Sequence, residues 1–504
     1  MNICSKIIVI FCCVGLCACA DWLDLKPETD ATETDVFSTG EGYRSVLNGL
    51  YKSMGSGSLY GIELGFGIVD CMSQQYDLEK MTAMSLNDPY IAAGAYKYTD
   101  VSLIPVLEGI WKSAFNVIAN ANNLIQNIQD ESPDLFQLKE REKSVILGEA
   151  YACRALMHFD MLRLFAPAPV NDDGKPYVPY VEKYPDIQAD AIAVKPFLNK
   201  VIADLEYARE LVAVYDTTDV GIAASATGEK RFYAEGFFNG RGYRLSYYSI
   251  SALLARVYQY ADRHEDAFRL AEEVMKFELK GKSFYGDVNF NGVMPSTFEA
   301  KTDLKIVSNL IFAVYNEKQY TDNKLTTFFK KENDSDNKTW LVVNSEKQEL
   351  FYNSQGDDES NLDYRSKYMI YLAGGQFPVS GKWYCSDDEL IRERNVTILP
   401  VIRATEMQYI MAEYYAREQN YVEAYRILNE IRSDRGCVVT IDGGASWDGF
   451  VKELILDARR EWISEGQLFY LYKRLNADIE FNRAESRPLK REEYLVPVPA
   501  DQFL

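Results

Sequence analysis

A helical hairpin that occurs twice is the feature that most constrains how this chain folds. Residues 250–274 place apolar side chains at the i, i+3, i+4 and i+7 positions of two successive helices, and residues 407–430 repeat that pattern. The aligned residues include Ala255 with Ala412, Tyr258 with Tyr415, Ala267 with Ala424, Arg269 with Arg426 and Glu273 with Glu430. Because one hairpin cannot bury its own apolar face, we expect further hairpins to pack beside these two.

The spacing within the first hairpin is typical of a tetratricopeptide repeat. Leu254 and Ala255 are followed by Tyr258 and, in the partner helix, by Ala267, which matches the apolar, small, x, x, Tyr pattern of that repeat. Other helical stretches are predicted at residues 111–128, 138–165, 197–214 and 450–475. The sequence therefore predicts a mostly α protein, with about eight helices in roughly four tetratricopeptide-like hairpins.

The rest of the chain has a different composition. The helical stretches fall at about 106–280 and 400–476, whereas residues 53–105 and 281–399 are rich in Gly, Ser, Asn, Asp and aromatic residues. The strand-like runs in these two segments are short, such as residues 308–315. We expect a loop-rich second layer with short strands on the helical scaffold. Loops held by a rigid scaffold are where binding usually occurs.

The N-terminus resembles a bacterial lipoprotein signal. Lys6 precedes an apolar run at residues 7–16, which is too short to span the roughly 30 Å of a bilayer core. Leu16-Cys17-Ala18-Cys19 then resembles a lipobox, in which Cys19 receives the lipid after residues 1–18 are removed. Two or more acyl chains would anchor the body, residues 19–504, stably to a membrane. The alternative is an ordinary secretory signal with a coincidental cysteine.

Charge and cysteine usage argue against several classes of function. A formal net charge of −21 repels phosphate backbones, so nucleic acid is not an expected partner. Cys71, Cys153, Cys385 and Cys437 are widely separated, which favours buried free thiols over disulfides or a zinc site. The chain has two histidines, so a catalytic or metal-binding site built from several histidines is not expected. We expect no cofactor and no bound metal.

Aromatic residues in the loop layer are the candidates for ligand binding. The chain has 35 tyrosines, and a tyrosine offers a flat apolar face with a polar edge, which suits a surface that binds polar ligands. The candidates are Tyr76, Asp77, Asn87, Tyr90, Tyr96, Tyr98, Asp100, Tyr320, Trp340 and Trp383, with Asp363 as a further polar companion. For each of them, packing in the core is the competing interpretation.

Glu406 and Glu413 form a carboxylate pair that a glycosidase could use. They are seven positions apart on one helix face. Two turns of helix separate them by about 10.5 Å along the axis, which is longer than the roughly 5 to 9.5 Å between catalytic carboxylates. We therefore expect both to form structural ion pairs, with Arg403, Arg426 or Arg432 as partners.

Other charged segments also have a structural and a functional interpretation. Arg459, Arg460 and Glu461 could clamp an anion, but a salt-bridged helix face is favoured. The acidic runs 357–359 and 387–389 could bind Ca²⁺, yet they lack the ligand spacing of an EF-hand, so solvated loops are favoured. Since no phosphate loop, nucleophile elbow or zinc-protease motif is present either, we do not expect an enzyme.

Short motifs follow one another along nearly the whole chain. In order, they are residues 19–27, 48–51, Trp111 with 119–122, 148–155, 159–160 and 164–165, 400–406 with 412–413, 428–432, 460–461 with 465–466, and 494–499. In this order they resemble the SusD/RagB family of outer membrane lipoproteins. The chain departs from the family pattern at Ala458, Leu468, Leu471 and Leu475, where charged residues or Trp are more usual. This departure suggests that a structural ion pair has been replaced.

The resemblance implies a lipoprotein of the outer membrane that faces the cell exterior and captures a nutrient, with an oligosaccharide as the favoured ligand. It would deliver the nutrient as a lid to a SusC-type TonB-dependent transporter. Lipid on Cys19 would hold it at the membrane, the helical repeats would pack on the transporter, and the loop layer would present the ligand. Two alternatives are left open: a peptide-capturing RagB-like uptake protein, and a tetratricopeptide scaffold lipoprotein without a nutrient ligand.

Overall fold

The computed structural model describes residues 33–83, 88–185, 189–225, 236–279, 282–283, 294–323, 325–329 and 339–500. The signal peptide, the expected lipid site at Cys19 and the candidate Asn87 lie outside these residues. Within them the protein consists mainly of helices and its strands are short, which confirms the mostly α fold expected from the sequence. None of the helices described is both long and apolar enough to cross a bilayer.

The helices are numbered here in chain order. They are α1 Glu33–Val36, α2 Gly40–Met54, α3 Ile68–Met72, α4 Leu78–Ala83, α5 Asp88–Gly94, α6 Ile104–Gln129, α7 Glu140–Phe165, α8 Val194–Asp216, α9 Asp219–Ala224, α10 Tyr247–Tyr260, α11 His264–Met275, α12 Met294–Glu299, α13 Gln319–Asp322, α14 Leu325–Phe328, α15 Tyr364–Met369, α16 Glu389–Val396, α17 Ala404–Arg417, α18 Tyr421–Asp434, α19 Trp447–Glu461, α20 Leu468–Leu475 and α21 Arg491–Tyr494.

The described strands form two-stranded antiparallel sheets. They are β1 Val178–Pro179 with β2 Ala191–Ile192, β3 Glu278–Leu279 with β4 Lys282–Ser283, β5 Leu310–Tyr315 with β8 Ile398–Arg403, β6 Ile370–Ala373 with β7 Phe377–Ser380, and β9 Asp478–Asn482 with β10 Glu485–Pro488. β5 lies within the predicted strand 308–315, and it contacts α2 and α10. Because β8 leads directly into α17, this pair ties the loop layer to the scaffold.

Both predicted hairpins are present, and they stack on each other. α10 and α11 form the first, α17 and α18 form the second, and α11 packs against α17. At this contact the rings of Phe268 and Tyr414 stack with their centroids 4.4 Å apart. Repeats that are distant in sequence therefore share one apolar interface, as the stacking of repeat units requires.

The first part of the scaffold is built around α7, which packs between α6 and α8. A Cβ added at Gly148 would lie 2.9 Å from the Ala208 carbonyl oxygen, so this close approach of α7 and α8 needs a glycine. α2 packs on α6 and was not predicted from the sequence. Its buried face carries Tyr43, Leu47 and Leu50 among others, the spacing of an amphipathic helix.

A group of buried charges, which we call the ion cluster, lies between α15, α18 and α19. Its members are Glu359, Asp363, Arg365, Arg432, Arg435, Asp457, Arg460 and Glu461. Each of these side chains is at most 3% exposed. The expected ion pairs of Arg459, Arg460 and Glu461 are confirmed, and the three side chains are buried, at most 2% exposed. The solvated-loop interpretation of Glu359 is wrong, and Asp363 serves the ion cluster.

Glu406 and Glu413 are ion-paired, as expected, but with other partners than the predicted ones. Glu406 Oε1 accepts from Arg256 Nε at 2.6 Å, and Glu413 Oε2 accepts from Arg474 Nη2 at 2.6 Å. Of the predicted partners, Arg403 pairs with Glu465, Arg426 with Glu423 and Glu430, and Arg432 with Glu359. The expected thiols are confirmed, since the four described cysteines are buried and not disulfide-bonded.

Candidate functional site

A cleft of about 950 Å³ opens where the first loop segment meets the segment that follows β5. We call it the loop cleft. Its polar lining consists of Ser58, Glu63, Tyr90, Ser102, Asp322, Asn323, Thr327 and Thr339, and its apolar lining includes Ile62, Pro89, Pro105, Val106 and Phe328. Polar groups beside apolar ones are what a site for a polar small ligand offers.

Side chains near α13 hold the floor of the loop cleft. Gln319 Nε2 donates to the Gly61 carbonyl oxygen at 2.6 Å, and Asn316 Nδ2 donates to the Gly55 carbonyl oxygen at 2.9 Å. A Cβ at Gly61 would lie 2.4 Å from Asn323 Nδ2, so the backbone approaches this amide more closely than another residue allows. These contacts join two segments that are far apart in sequence into one wall.

An aromatic cluster positions Tyr90 at the loop cleft. The ring centroid of Phe328 lies 5.5 Å from that of Tyr90 and 5.9 Å from that of Phe66, both edge-on. Phe66 in turn packs edge-on against Trp383 at 4.8 Å. Edge-to-face contacts of this kind are favourable beyond the area they bury, so the cluster fixes the direction of the Tyr90 hydroxyl.

Glu63 is an almost fully buried acid in the wall of the loop cleft, with 9% of its surface exposed. The Tyr90 hydroxyl donates to Glu63 Oε1 at 3.2 Å, and the Ile68 N–H donates to Glu63 Oε2 at 3.2 Å. Burial raises the pKa of Glu63 from 4.5 to about 7, although the two hydrogen bonds act in the opposite direction. An acid whose pKa is raised by burial in a cleft is a candidate functional group.

The charge of the loop cleft is one-sided. Among the described residues that line it, Glu63 and Asp322 are acidic, and none is Lys, Arg or His. Residues 84–87 and 330–338, which adjoin the lining in sequence, lie outside the described part of the chain. In this described lining, Glu63 and Asp322 are the only carboxylates that could bind a metal ion. Across the described residues, no group of three or more His, Cys, Asp or Glu is placed to hold a metal ion.

Of the predicted ligand residues, Tyr90 lines the loop cleft, but its hydroxyl is already bonded to Glu63. Tyr320 lies on α13 beside the lining residue Asp322, half-buried, with the guanidinium carbon of Arg392 4.6 Å from its ring centroid. Asp322 is exposed. Tyr320 therefore offers a partly accessible ring near the cleft, and its role as a ligand contact stays a prediction.

Three of the predicted residues line a second opening, of about 700 Å³, beside the C-terminal segment. The Tyr96 hydroxyl donates to the Met72 carbonyl oxygen at 2.8 Å, and the Tyr98 hydroxyl donates to the Glu493 carbonyl oxygen at 2.5 Å. Asp100 accepts from the Ser102 N–H and hydroxyl. The structure therefore separates these three from Tyr90, and the predicted residues do not form one site.

Four predicted residues are buried in this structure, as the competing packing interpretation expects. Tyr76 donates to the Phe66 carbonyl oxygen at 2.8 Å, and Trp383 Nε1 donates to the Ser464 carbonyl oxygen at 3.1 Å. Asp77 accepts from Lys347 Nζ at 3.0 Å, and Trp340 packs against Phe377. In the present conformation these side chains are not available to a ligand, because each is at most 3% exposed.

Sequence reasoning missed Glu63, Asn323 and Ser58. A usable signal was the density of glycines around Glu63, at positions 55, 57, 61, 65 and 67. Such a density indicates backbone that approaches other groups closely, so an acid within it is a candidate for close packing. The aromatic residues carry the stronger sequence signal, but Tyr76, Trp340 and Trp383 are buried in the structure.

A third opening, of about 780 Å³, lies between α19, the β9–β10 hairpin and residues 348–356. Its lining carries both signs of charge, with Lys452 and Arg483 beside Glu349, Asp448 and Asp478. Arg483 is already paired with Glu349. The loop cleft differs because its described lining is acidic alone and combines both predicted loop segments.

Comparisons with known proteins agree with this fold. The family model SusD-like_3, described as "Starch-binding associating with outer membrane", matches residues 21–225. The SusD-like protein P2 of Formosa agariphila is 26% identical over 208 residues, which cover 41% of this chain and 37% of that protein. The chain therefore aligns with little more than a third of that relative.

Solved structures extend the similarity over most of the chain. A SusD superfamily protein from Bacteroides thetaiotaomicron has a TM-score of 0.66 and 18% identity, and the match covers 92% of this chain and 97% of the other. A protein described as a putative sugar binding protein, from Bacteroides vulgatus, has a TM-score of 0.68 and 17% identity, with coverages of 92% and 96%. At this identity the structures show a common fold, and together with the family match they confirm the resemblance found in the sequence.

Proposed function

Starting from a chain that belongs to the SusD/RagB family, we propose that it binds an oligosaccharide in the loop cleft and takes part in nutrient uptake at the outer membrane. The observation that carries this proposal is the loop cleft itself, an opening of about 950 Å³ lined by hydroxyl, amide and carboxyl groups. Sugars bind through many such groups placed around their hydroxyls. The description of the matching family model as starch-binding supports the same ligand class.

The proposal includes delivery to a partner. The protein would act as a lid on a SusC-type TonB-dependent transporter, with lipid on Cys19 as the tether and the helical repeats as the docking surface. Support comes from the lipobox-like residues 16–19 and from the ordered family motifs. Binding, and not catalysis, is the proposed role of the loop cleft.

Calorimetric titration against a panel of oligosaccharides tests the ligand class. We expect saturable binding to at least one glycan, and we expect Gly109→Phe to abolish it. Among the described residues, Ser58 Oγ at 3.4 Å is the one atom within 4 Å of a Cβ at Gly109 outside its own helix backbone and chain neighbours. The ring of Gly109→Phe would therefore occupy the cleft. Gly49→Phe is the matched control, because Gly49 is also helical and a Cβ there meets nothing within 4 Å. Saturable binding to peptides alone would favour the peptide-capturing alternative.

Cell fractionation and protease treatment of intact cells test the location. We expect the protein to be digested from outside, to copurify with a SusC-type transporter, and to lose uptake activity in Cys19→Ala while the isolated variant keeps its ligand affinity. Resistance to external protease would favour the scaffold alternative. The absence of a SusC-type gene immediately upstream would contradict the uptake proposal.

A further inference from the structure

Glu63 is unusual among the buried acids of the described chain that line an opening. Its two described hydrogen-bond partners are the Tyr90 hydroxyl and the Ile68 N–H, which are both neutral. Glu406 and Glu413, the buried acids that line another opening, have guanidinium partners: Glu406 pairs with Arg256, and Glu413 with Arg417 and Arg474. Carboxylates without a cation are unstable in the interior because burial removes their hydration. Glu63 therefore has capacity to accept further hydrogen bonds from a ligand.

Among the described residues, the groups around Glu63 carry no positive charge to compensate its own. Tyr90 faces it from α5 and the thiol of Cys71 from α3, while Asp322 lies in the lining near α14. The described lining of the loop cleft adds hydroxyls and an amide, such as Ser58, Ser102 and Asn323. An acidic ligand would bring a third negative charge into this partly enclosed, acid-lined space. Like charges in such a space repel each other and are poorly screened.

We propose that the loop cleft selects a glycan without acidic groups, and that Glu63 accepts a hydrogen bond from a hydroxyl or amino group of that glycan. This inference rests on the proposed function, since it names the chemical class of the oligosaccharide. Uronic-acid and sulfated oligosaccharides are the classes that the cleft rejects.

The ionisation of Glu63 gives the proposal a pH signature. Burial raises its pKa to about 7, so the carboxyl is largely protonated at pH 5.5 and ionised at pH 8.5. The ionised form is the stronger acceptor, and hydrogen bonds to charged groups contribute more than neutral ones. Affinity for the preferred glycan therefore rises as pH increases through about 7, and Glu63→Gln removes this rise.

The experiment is a calorimetric titration of the purified protein at pH 8.5 with three sets of oligosaccharides of matched length. The first set is neutral, such as glucose and xylose oligomers; the second is glucosamine oligomers with their N-acetylated counterparts; the third is galacturonic acid oligomers and sulfated galactans. We expect the best member of the first two sets to bind at least about tenfold more tightly than any acidic oligomer. An acidic oligomer that binds as tightly overturns the inference but leaves the proposed function in place. Failure of every glycan to bind would contradict the proposed function itself.

Variants then test Glu63. We expect Glu63→Gln to weaken binding of the preferred glycan about tenfold at pH 8.5 and to leave it nearly unchanged at pH 5.5. Glu210→Gln is the control, because it removes the same charge from an exposed position on α8, which contributes nothing to the cleft. Equal effects of the two variants, or no effect of Glu63→Gln at either pH, would overturn the role of Glu63. Thermal unfolding of each variant at both pH values shows whether a loss of binding reflects a loss of fold.

Discussion

The ion cluster and the loop cleft both bury carboxyl groups, but only the ion cluster surrounds them with guanidinium groups. Burial alone would raise the pKa of Glu461, yet Arg435 and Arg365 hold it well below its ordinary value. Burial raises the pKa of Glu63 to about 7, and no described cation offsets it. The carboxyl groups of the ion cluster join helices through ion pairs. Glu63 has no described cationic partner, so it can accept a hydrogen bond from a ligand.

The two regions also respond to pH with opposite signs. Glu461 has a lowered pKa in the folded protein, so its stabilising contribution is present above its unfolded pKa and is lost as pH falls. Glu63 has a raised pKa, so its favourable contribution is present below 4.5 and is lost as pH rises to about 7. The ion cluster therefore loses stabilising free energy as the pH falls, whereas the ionisation of Glu63 destabilises the loop cleft at neutral pH and above.

Breaking the ion cluster should have the largest effect. Arg365 contacts Asp457 Oδ1 at 2.8 Å, Asp363 Oδ2 at 2.9 Å and Glu461 Oε2 at 3.1 Å. Arg365→Met leaves three buried carboxylates with fewer partners, so we expect the free energy of unfolding to fall by about 3 to 5 kcal/mol. Chemical denaturation at pH 7 measures this change.

The control for Arg365 is an exposed arginine. Arg426 pairs with Glu423 and Glu430 at the surface, and Arg426→Met should lower the free energy of unfolding by less than about 1 kcal/mol. Comparable losses in both variants would mean that burial does not distinguish the two sets of ion pairs.

Glu63→Gln should stabilise the protein in a pH-dependent way. The neutral amide avoids burying a charge, so the variant should exceed the wild type by up to about 3 kcal/mol above pH 8 and match it below pH 4.5. Denaturation of both proteins at several pH values gives the difference. A constant difference across this range would show that Glu63 has the same pKa in the folded and the unfolded protein, and would contradict the raised pKa.

Gly67→Ala should disturb the loop cleft by displacing Glu63. A Cβ at position 67 would lie 2.6 Å from Glu63 Oε2 and 2.8 Å from Glu63 Cα. We expect unfolding free energy to fall by about 1 to 3 kcal/mol and glycan affinity to fall as well. Gly49→Ala is the control. Gly49 lies in α2, and an added Cβ there meets no described atom within 4 Å outside its own helix backbone and chain neighbours, so the variant should raise the free energy of unfolding by about 0.5 to 1 kcal/mol. A stabilising Gly67→Ala would contradict the close packing at Glu63.

Tyr90→Phe is the mildest change. It removes the hydroxyl that donates to Glu63 Oε1 and keeps the ring that packs on Phe328. We expect the free energy of unfolding to fall by about 0.5 to 1.5 kcal/mol at pH 8.5, and the pKa of Glu63 to rise further. Tyr320→Phe serves as a control for losing a hydroxyl, because it lies on α13 and does not line the cleft.

The hairpins were predictable because their signal is local. Apolar residues at helical spacing determine α10, α11, α17 and α18 over short stretches of sequence. The partners in the ion pairs could not be predicted, because they are far apart in the sequence. Arg256 and Glu406 are 150 positions apart, and Glu359 and Arg460 are 101 positions apart. No local pattern specifies which arginine reaches which acid.

The candidate site was predicted only in part. The proposed loop cleft lies in the two loop segments where the sequence predicts ligand binding, and Tyr90, one of the predicted residues, lines it. Aromatic enrichment could not separate rings that build the wall, such as Trp383, from rings that face solvent. Glu63 can be identified as a candidate functional residue only from the structure, which shows that it is buried and that the described lining of the cleft contains no cationic side chain.

The most direct test of this account is the protonation of Glu63 in the folded protein. Infrared spectra recorded from pH 4 to pH 9 for the wild type and Glu63→Gln isolate the carbonyl band of the protonated acid by difference. The account predicts a band that is lost in the wild type with a midpoint at about 7 and that is missing in the variant. A midpoint near the ordinary value of 4.5 would show that Glu63 is solvated or paired with a cation, and it would contradict the contrast between the loop cleft and the ion cluster.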